Sequence, residues 1–565
     1  MTATQGTPAS SLRTDRPSPP FQRILIANRG EIAVRIMRTC RELGVQTVAV
    51  YSDADVAALH VRMADVAVRI GPAPASESYL RAEAIVAAAL SAGAEAIHPG
   101  YGFLSERSSF AREVIQAGLV FIGPSPEAIA ALGDKLTARR TVAAQDVPVV
   151  AGTFDPAPVD RPDDVAAIME AAGRIGFPLM VKASAGGGGR GMRRVVSAGG
   201  LPAALAAASA EARSVFGDGS VYLEREVHPA RHIEVQLLGD TQGGLVALGE
   251  RDCSIQRRHQ KLVEESPAPG LTPDERVGLH AMAVRAGLAA GLHSAATAEF
   301  LFDEERRFWF LEVNARLQVE HGVTELITDL DLVAEQLWIA AGRPLSSQVR
   351  AAAAAASAPG RHALEVRLYA EDPSRSFAPC AGRVTTWSMP AGPGVRVDTA
   401  IRAGDRVPTD YDPMIAKVMT VASDRGLAIA RMRRALDEVE VTGIQTTLPF
   451  GQALVRDAAF ITASELSVGW VAERWDGDAR RAEVVPRAAA IAAGAVIAAV
   501  AADGAGDLGG STGDPGETGP IRSSTAPDSG LSVRKDTARS DHDRSSDGSG
   551  WRQVGRSAAT DRWPR

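Results

Sequence analysis

The chain has 565 residues, of which 45% are hydrophobic and 23% charged, and its formal net charge is −7. This length is too great for one hydrophobic core and predicts about three packed units with tails. The acidic balance, without a long basic stripe, excludes nucleic acid as an expected partner.

The cysteines and the apolar runs predict a cytoplasmic protein. Cys40, Cys253 and Cys380 are far apart and form no Cys-x-x-Cys pair, which argues against a disulfide framework or a zinc site. The apolar run 488–502 is shorter than the ~20 residues that span a bilayer, so we expect a helix and no membrane contact. Residues 1–20 lack the apolar core of a signal peptide and are predicted to be a disordered tail.

Strand and helix patterns alternate from Phe21 to about Gly133. Apolar runs at 24–27 and 47–51 flank a helix predicted over 31–43, and further runs follow at 94–98 and 119–123. This alternation predicts an open, mainly parallel α/β sheet. The turn after the first strand contains one glycine where a dinucleotide-binding fingerprint needs three, so we do not expect NAD binding.

A glycine-rich loop lies in a smaller unit predicted over 151–226. The four glycines 186–189 join two strand-like runs, the first of which contains Lys182. Without Cβ atoms, their N–H groups can converge on an anion. The loop lacks the ending of a P-loop, and a strand rather than a helix follows it. We expect a flexible hairpin flap over a triphosphate, with a plain mobile hairpin as the alternative.

Lysine is rare, because only five of the 61 Lys and Arg residues are Lys. Three of them, Lys135, Lys182 and Lys261, lie in the motifs described here. A compact ammonium meets phosphate or bicarbonate as a point charge, which favours an anion-binding role over chance placement. The donor-rich segment 249–261 contains Lys261 and has a solvated basic loop as its alternative interpretation. Cys253 in this segment is predicted to be a small packed residue rather than a nucleophile.

Two apolar runs around 303–307 predict a β-hairpin with a loop of about four residues. If Asp303 pairs with Phe308, the register sets Glu299 directly opposite Glu312. Carboxylates roughly 5 Å apart repel by about 3 kcal/mol at an effective dielectric near 20, so we expect a cation between them. Mg²⁺ prefers such oxygen ligands together with a phosphate. A solvated polar face on an edge hairpin is the alternative.

Polar residues continue beyond this hairpin with a period of two. If the strand stays extended, the alternation places five side chains on one face: Glu312, Asn314, Arg316, Gln318 and Glu320. The hairpin belongs to a larger α+β region predicted over 227–475, in which the Ala/Ser/Pro/Gly stretch 350–360 is predicted to be a surface loop. Beyond about residue 503 the chain has too little apolar content to fold, and disorder is predicted.

Taken together, these motifs resemble biotin carboxylase, the ATP-grasp component of acetyl-/propionyl-CoA carboxylases, and most closely their α subunits. The resemblance runs from about Phe21 to Trp470 and follows the family's motif order: Ile26-Ala-Asn-Arg-Gly-Glu-Ile, His98-Pro-Gly-Tyr-Gly-Phe-Leu-Ser-Glu106, Gly133-Asp-Lys135, the Lys182 glycine loop, Arg251 to Lys261, Glu312 to His321 and Arg367-Leu-Tyr-Ala-Glu-Asp-Pro373. It implies an N-terminal domain at 21–133, an ATP-grasp domain at 134–345 with a mobile flap subdomain at 151–226, and a C-terminal domain at 361–475. A helical extension is expected at 476–502 and a disordered tail at 503–565.

The resemblance also implies the site residues. Those for ATP are Lys135, Lys182, Gly188, Gly189, Glu224, Arg225, Glu226, Val227, His232, Gln256, His259, Glu299 and Glu312. The implied ligands of Mg²⁺ or Mn²⁺ are Glu299, Glu312 and Asn314, and those of bicarbonate are Lys261, Arg316, Gln318 and the Val319 amide. Glu320 resembles the base that deprotonates bicarbonate, and Arg367 the residue that binds biotin and stabilises its enolate.

The implied reaction is ATP- and bicarbonate-dependent carboxylation of biotin through carboxyphosphate. Family α subunits end in a biotin-bearing domain with an Ala-Met-Lys-Met motif, whereas Lys535 here lies in Val-Arg-Lys-Asp. We therefore expect two partners, a separate carrier protein that bears biotin and a carboxyltransferase (β) subunit, together with a possible homodimer. The alternatives are a carbamoyl-phosphate synthetase, a pyruvate carboxylase component and a non-catalytic assembly subunit.

Overall fold

The computed structural model describes residues 18–184 and 191–482. Several predictions fall outside these ranges: the tail at 1–17, Gly188 and Gly189 in the glycine loop, the extension beyond residue 482 and the tail from 503. Residues 477–482, at the start of the predicted extension, are helical. Within the two described ranges, no helix is both long enough and apolar enough to cross a membrane.

The first unit is a five-stranded parallel sheet in the order β3-β2-β1-β4-β5. Its strands are β1 (Arg23–Ile26), β2 (Gln46–Ser52), β3 (Val66–Gly71), β4 (Ala96–His98) and β5 (Val120–Phe121). Its helices are α1 (Gly30–Leu43), α2 (Leu59–Met63), α3 (Ala82–Ser91), α4 (Ser108–Gln116) and α5 (Pro126–Gly133). Helix α1 ends because Gly44 adopts the left-handed conformation, with φ at 75°. The predicted parallel α/β sheet is confirmed.

The second unit is a three-stranded antiparallel sheet in the order β7-β6-β8. Its elements are α7 (Pro162–Ile175), β6 (Leu179–Ala183), β7 (Arg193–Val195), α8 (Leu201–Phe216) and β8 (Val221–Arg225). Helix α6 (Lys135–Ala143) precedes them in the chain and packs against α5 and residues 308–314. Helices α7 and α8 bury apolar side chains, including Ile168 and Leu205, against this sheet. Because β6 and β7 pair antiparallel, the glycine-rich segment joins neighbouring strands, as predicted.

The third unit is built on an eight-stranded antiparallel sheet in the order β13-β12-β9-β10-β11-β14-β21-β19. The strands after β8 are β9 (Ala230–Gly239), β10 (Leu245–Arg257), β11 (Gln260–Ser266), β12 (Ser294–Asp303), β13 (Phe308–Asn314), β14 (His362–Tyr369), β15 (Glu371–Asp372), β16 (Ala378–Pro379), β17 (Gly382–Arg383), β18 (Thr386–Ser388), β19 (Val395–Thr399), β20 (Arg406–Val407), β21 (Met414–Ala422) and β22 (Glu440–Thr442). The helices are α9 (Pro273–Ala289), α10 (His321–Thr328), α11 (Leu332–Ala340), α12 (Ser347–Ala355), α13 (Arg425–Glu438), α14 (Leu448–Leu454), α15 (Ala458–Thr462) and α16 (Trp470–Arg474). Because β11 pairs directly with β14, one sheet joins the strands of residues 230–314 to the strands of residues 362–422.

The hairpin of β12 and β13 contains the predicted carboxylate pair, but its register near the turn was wrong. Phe302, not Asp303, pairs with Phe308, which alone would shift every later pair by one residue. A β-bulge between Glu299 and Phe300 inserts the missing residue and restores the pairing of Glu299 with Glu312. The predicted opposition of the two glutamates is therefore confirmed, although the strand register between them and the turn differs from the predicted one.

Two other local predictions were wrong. Strand β13 ends at Asn314, so the extended alternation does not continue to Glu320, which instead precedes helix α10. The stretch predicted as a loop at 350–360 is helical as far as Ala355. Ser346 caps that helix by accepting a hydrogen bond from the Val349 N–H, and the high helix propensity of consecutive alanines outweighs the loop-like composition.

Candidate active site

The site is built on a row of charged residues that crosses four adjacent strands. Glu299 on β12 lies opposite Glu312 on β13 and also opposite Glu234 on β9. Glu234 in turn lies opposite Arg251 on β10, and both side chains are fully buried. Three carboxylates in one row would repel strongly, so the folded protein needs cations around them to offset this repulsion.

Lys261 is the central cation of this row. It projects from β11, and its Nζ lies 3.0 Å from Glu299 Oε1 and 2.5 Å from Glu320 Oε1, and also contacts Glu234. Burial opposes the charged form of Lys261, but Glu234, Glu299 and Glu320 outweigh burial and raise its pKa well above the ordinary value. One ammonium therefore neutralises carboxylates from three separate elements.

Glu299 has further partners that keep it ionised. His232 Nε2 lies 3.2 Å from Glu299 Oε2, and the side-chain amides of Asn314 and Gln318 donate to Glu299 Oε1 at 3.0 and 3.1 Å. Burial raises the pKa of Glu299, but Lys261 and His232 outweigh it and hold the pKa below the ordinary value. Two amides and two basic groups thus converge on one carboxylate.

The two other predicted phosphate-binding lysines lie beside acidic residues. Lys135, at the start of α6, donates from Nζ to Glu312 Oε2 at 2.5 Å. Lys182 on β6 contacts Glu224 on the neighbouring strand β8, and Arg139 contacts the same carboxylate. Burial together with Lys135 and Arg139 lowers the pKa of Lys182 to about 7, while Glu312 opposes the shift. The charges of Lys135 and Lys182 therefore influence each other.

The other residues predicted to contact nucleotide fall into two groups. Gln256 is buried beside His232, with Gln256 Nε2 at 3.2 Å from His232 Nδ1. His259 is exposed at the tip of the β10–β11 hairpin, where its φ is 67°. After Glu224 on β8, Arg225 is exposed, Glu226 pairs with Arg194 at 2.7 Å and Val227 is half-buried. The nucleotide role of Arg225, Glu226 and Val227 stays a prediction.

Glu320 joins the carboxylate row to Arg367. Its Oε1 meets Lys261, and its Oε2 accepts a hydrogen bond from Arg367 Nη2 at 2.8 Å. Burial raises the pKa of Glu320, but Lys261, Arg367 and Arg251 together hold it well below the ordinary value. A carboxylate that stays ionised inside the protein and contacts two cations has the charge state that a general base requires.

Arg316 and Val319 complete the predicted anion pocket. Arg316 is buried and donates from Nη2 to Asn314 Oδ1 at 3.0 Å, while its Nε lies 3.1 Å from Glu106 Oε2. Glu106 belongs to the N-terminal unit, so that unit supplies one wall of the site. The carbonyl oxygen of Val319 accepts a hydrogen bond from Lys417 Nζ at 2.8 Å.

Sequence reasoning missed several charged residues that the fold places here. Glu234 and Lys417 have no exposed surface, and Glu264 is equally buried beside Arg367. A signal was present for Glu234, since a lone acid two residues after His232 in an apolar strand must face the same side. Cys253, in contrast, fits the prediction of a packed residue, because it is buried and burial raises the pKa of its thiol.

The donor set fits a hard divalent cation. Glu299, Glu312 and Asn314 place side-chain oxygens on two paired strands, and these are ligands that Mg²⁺ accepts alongside a phosphate. Lys135 contacts Glu312, and Lys261 and His232 contact Glu299. Basic side chains therefore balance the charge of the two glutamates.

Three family models match the chain: "Biotin carboxylase, N-terminal domain" at 20–129, "Carbamoyl-phosphate synthase L chain, ATP binding domain" at 134–348 and "Biotin carboxylase C-terminal domain" at 365–473. The biotin carboxylase of Pseudomonas aeruginosa is 47% identical over 440 residues, which cover 78% of this chain and 96% of that protein. Biotin carboxylase 2 of Bacillus subtilis is 48% identical over 429 residues, 76% of this chain and 94% of that protein.

Two solved structures are similar over most of the chain. The biotin carboxylase–βγ-ATP complex from Campylobacter jejuni has a TM-score of 0.76 and 42% identity, and covers 80% of this chain and 99% of that one. The biotin carboxylase domain dimer of the Hydrogenobacter thermophilus 2-oxoglutarate carboxylase, with MgADP, ADP and bicarbonate, has a TM-score of 0.75 and 41% identity, and covers 80% and 97%.

Replacing Lys261 by Met should make stability depend on pH. In the wild type, the lowered pKa values of Glu299 and Glu320 contribute stability that is complete above about pH 4.3 and is lost as pH falls below it. Without the ammonium, burial raises these pKa values, and the variant loses stability as pH rises above that value. The difference in urea midpoint between wild type and variant should therefore widen from about pH 5 to about pH 8 in metal-free buffer.

Lys135→Met serves as the matched control, because Lys135 is partly exposed and Glu312, with which it forms an ion pair, is one-third exposed. The difference in urea midpoint between Lys135→Met and wild type should change little over the same pH range. A Lys261→Met difference that is equally constant would contradict the assignment of Lys261 as the shared counter-ion.

Proposed function

Because the chain belongs to the biotin carboxylase family, we propose that it carboxylates biotin with ATP and bicarbonate. The observation that carries this proposal is the continuous path of charge from the Glu299–Glu312 pair, through Lys261 and Glu320, to Arg367. The pair offers oxygens for a metal nucleotide at one end. The guanidinium at the other end offers a donor for a neutral acceptor that becomes an oxyanion.

The nucleotide would lie between the three-stranded sheet and the eight-stranded sheet. Lys135, Lys182, Gly188 and Gly189 are assigned to its phosphates, and the main chain of 224–227 to its base. His232, Gln256 and His259 are assigned to the nucleotide as well. Phosphoryl transfer requires mainly positioning and neutralisation of charge, which these cations supply. Lys182 would leave Glu224 for phosphate, while Arg139 continues to balance that carboxylate.

Magnesium would be held by Glu299, Glu312 and Asn314. When bound, the metal supplies positive charge to the phosphate oxygens of the nucleotide. The protein's own contribution is to release Lys135 and Lys261 from the two glutamates, so that both ammonium groups can turn to the anionic substrates.

Bicarbonate is assigned to Lys261, Arg316, Gln318 and the amide of Val319. Glu320 takes the bicarbonate proton, and the bicarbonate oxygen attacks the γ-phosphoryl group of ATP to give carboxyphosphate and ADP. Carboxyphosphate then breaks into CO₂ and phosphate, and the phosphate accepts the ureido proton of biotin. Arg367 stabilises the oxygen of the resulting enolate, whose nitrogen forms the new bond to CO₂.

We further propose that biotin is presented by a carrier protein in the cytoplasm, and that a separate carboxyltransferase uses the carboxybiotin. Relatives are named for different acceptors, and one of them, a component of the pyruvate carboxylase of Methanothermobacter thermautotrophicus, is 45% identical over 445 residues. Since the acceptor would be chosen by the carboxyltransferase, the site described here is compatible with each. The dimeric 2-oxoglutarate carboxylase domain supports a homodimer.

The function is tested by ADP release from the purified chain with Mg-ATP. We expect ADP release to require bicarbonate and to be faster with free biotin. Each additional ADP released in the presence of biotin should be matched by one carboxybiotin. A rate of ADP release that depends on neither bicarbonate nor biotin would contradict the proposal.

Replacing Arg367 by Ala should separate the two stages. Carboxylation of free biotin should fall by about 10²–10³, the usual loss for one oxyanion donor, because the enolate loses its stabilising charge. Nucleotide affinity, measured by calorimetry, should stay within about twofold, since Arg367 lies at the far end of the site. Arg402→Ala, which removes an exposed arginine, is the control. Unchanged biotin carboxylation would remove Arg367 from the reaction.

A further inference from the structure

Two buried carboxyl groups behind Arg367 have no role in the proposed chemistry. Glu264 on β11 and Glu365 on β14 lie directly opposite each other, and neither side chain has any exposed surface. Arg367 follows Glu365 by two residues and therefore faces the same side of β14. The three side chains form a compact group in the middle of the eight-stranded sheet.

Arg367 lies between two carboxylates that come from opposite directions. Its Nη2 contacts Glu264 from within the sheet and lies 2.8 Å from Glu320 Oε2, which comes from the segment before α10. Glu365 is more distant, with its Oε1 at 3.8 Å from Arg367 Nε. The same guanidinium nitrogen is thus shared by the proposed base and by a carboxylate that the reaction does not use.

The charges around this pair leave Glu264 as the stronger partner of Arg367. Burial raises the pKa of Glu365 well above its ordinary value, and Glu264 adds to that shift, while Lys417 and Arg367 oppose it. Burial also raises the pKa of Glu264, to about 7, but Arg367 is its largest opposing influence. The geometry agrees, since Glu264 contacts Arg367 Nη2 directly whereas Glu365 Oε1 lies 3.8 Å from Arg367 Nε, so Glu264 is the closer carboxyl group.

This difference matters when Glu320 acts. Once Glu320 has accepted a proton from bicarbonate, it no longer offers a negative charge to Arg367, and the guanidinium is free on that side. Glu264 is then the remaining anionic contact of Nη2. We propose that Glu264 is the positioning residue that keeps Arg367 directed at the ureido oxygen of biotin during the second stage; this inference rests on the proposed function.

The test is Glu264→Gln, which keeps the shape of the side chain and removes its charge. The rate of biotin carboxylation should fall by about tenfold or more, because the guanidinium loses the charge of a buried ion-pair partner. Bicarbonate-dependent ADP release without biotin should stay within about twofold, because Glu320 keeps both of its cationic contacts, Lys261 and Arg367, in this variant. The conservative variant Glu264→Asp, which retains a carboxylate, should recover part of the lost rate.

A double variant shows whether Glu264 acts through Arg367. Adding Glu264→Gln to Arg367→Ala should cause no further loss of biotin carboxylation beyond that of Arg367→Ala alone. Glu265→Gln is the matched control, because Glu265 is the next residue on the same strand, is buried and pairs with Arg425 and His362 instead. It should lower the melting temperature without a selective loss of the biotin-dependent rate.

The outcomes distinguish this inference from the proposed function. Full activity of Arg367→Ala would overturn the role of Arg367 itself. An inactive Arg367→Ala together with a fully active Glu264→Gln would overturn only the positioning role of Glu264. Equal losses in both assays for Glu264→Gln, with a melting temperature as low as that of Glu265→Gln, would show a structural role and also overturn it.

Discussion

The structure depends on the compensation of a row of carboxylates by a small number of ammonium groups. Glu234, Glu299 and Glu312 lie side by side across three strands, and the ammonium groups of Lys261 and Lys135 lie against them and oppose their repulsion. Burying these charges costs electrostatic free energy. Apolar residues at the same positions would stabilise the fold without that repulsion. The cost is offset if, as proposed, bound substrates take over these cations.

The eight-stranded sheet positions oppositely charged side chains from one end of the site to the other. Strand β11 brings Lys261 to the carboxylate row, and the same strand brings Glu264 to Arg367 on β14. Glu320 bridges the two ends by contacting both cations. A single rigid sheet therefore fixes the distance between the proposed phosphoryl-transfer end and the proposed biotin end, whereas the three-stranded sheet with Lys182 is a separate layer.

Local sequence patterns predicted the parallel sheet, the strands around the glycine loop and the opposition of Glu299 and Glu312. Periodicity succeeded there because burial on one face fixes which side chains share a side. It failed near the turn, where the bulge beside Phe300 changes the count by one, and after Asn314, where the strand ends. Partners such as Glu234, Glu264 and Lys417 come from distant strands, and no local pattern encodes which strands become neighbours.

On the proposed function, Glu299 and Glu312 exchange their lysine partners for a metal nucleotide. This exchange is tested by calorimetric titration of ADP into the wild type and into the double variant Glu299→Gln/Glu312→Gln, each with and without Mg²⁺. Mg²⁺ should strengthen ADP binding by about tenfold or more in the wild type and have no such effect in the double variant, which should still bind metal-free ADP. An equal effect of Mg²⁺ on both proteins would show that the two glutamates do not hold the metal.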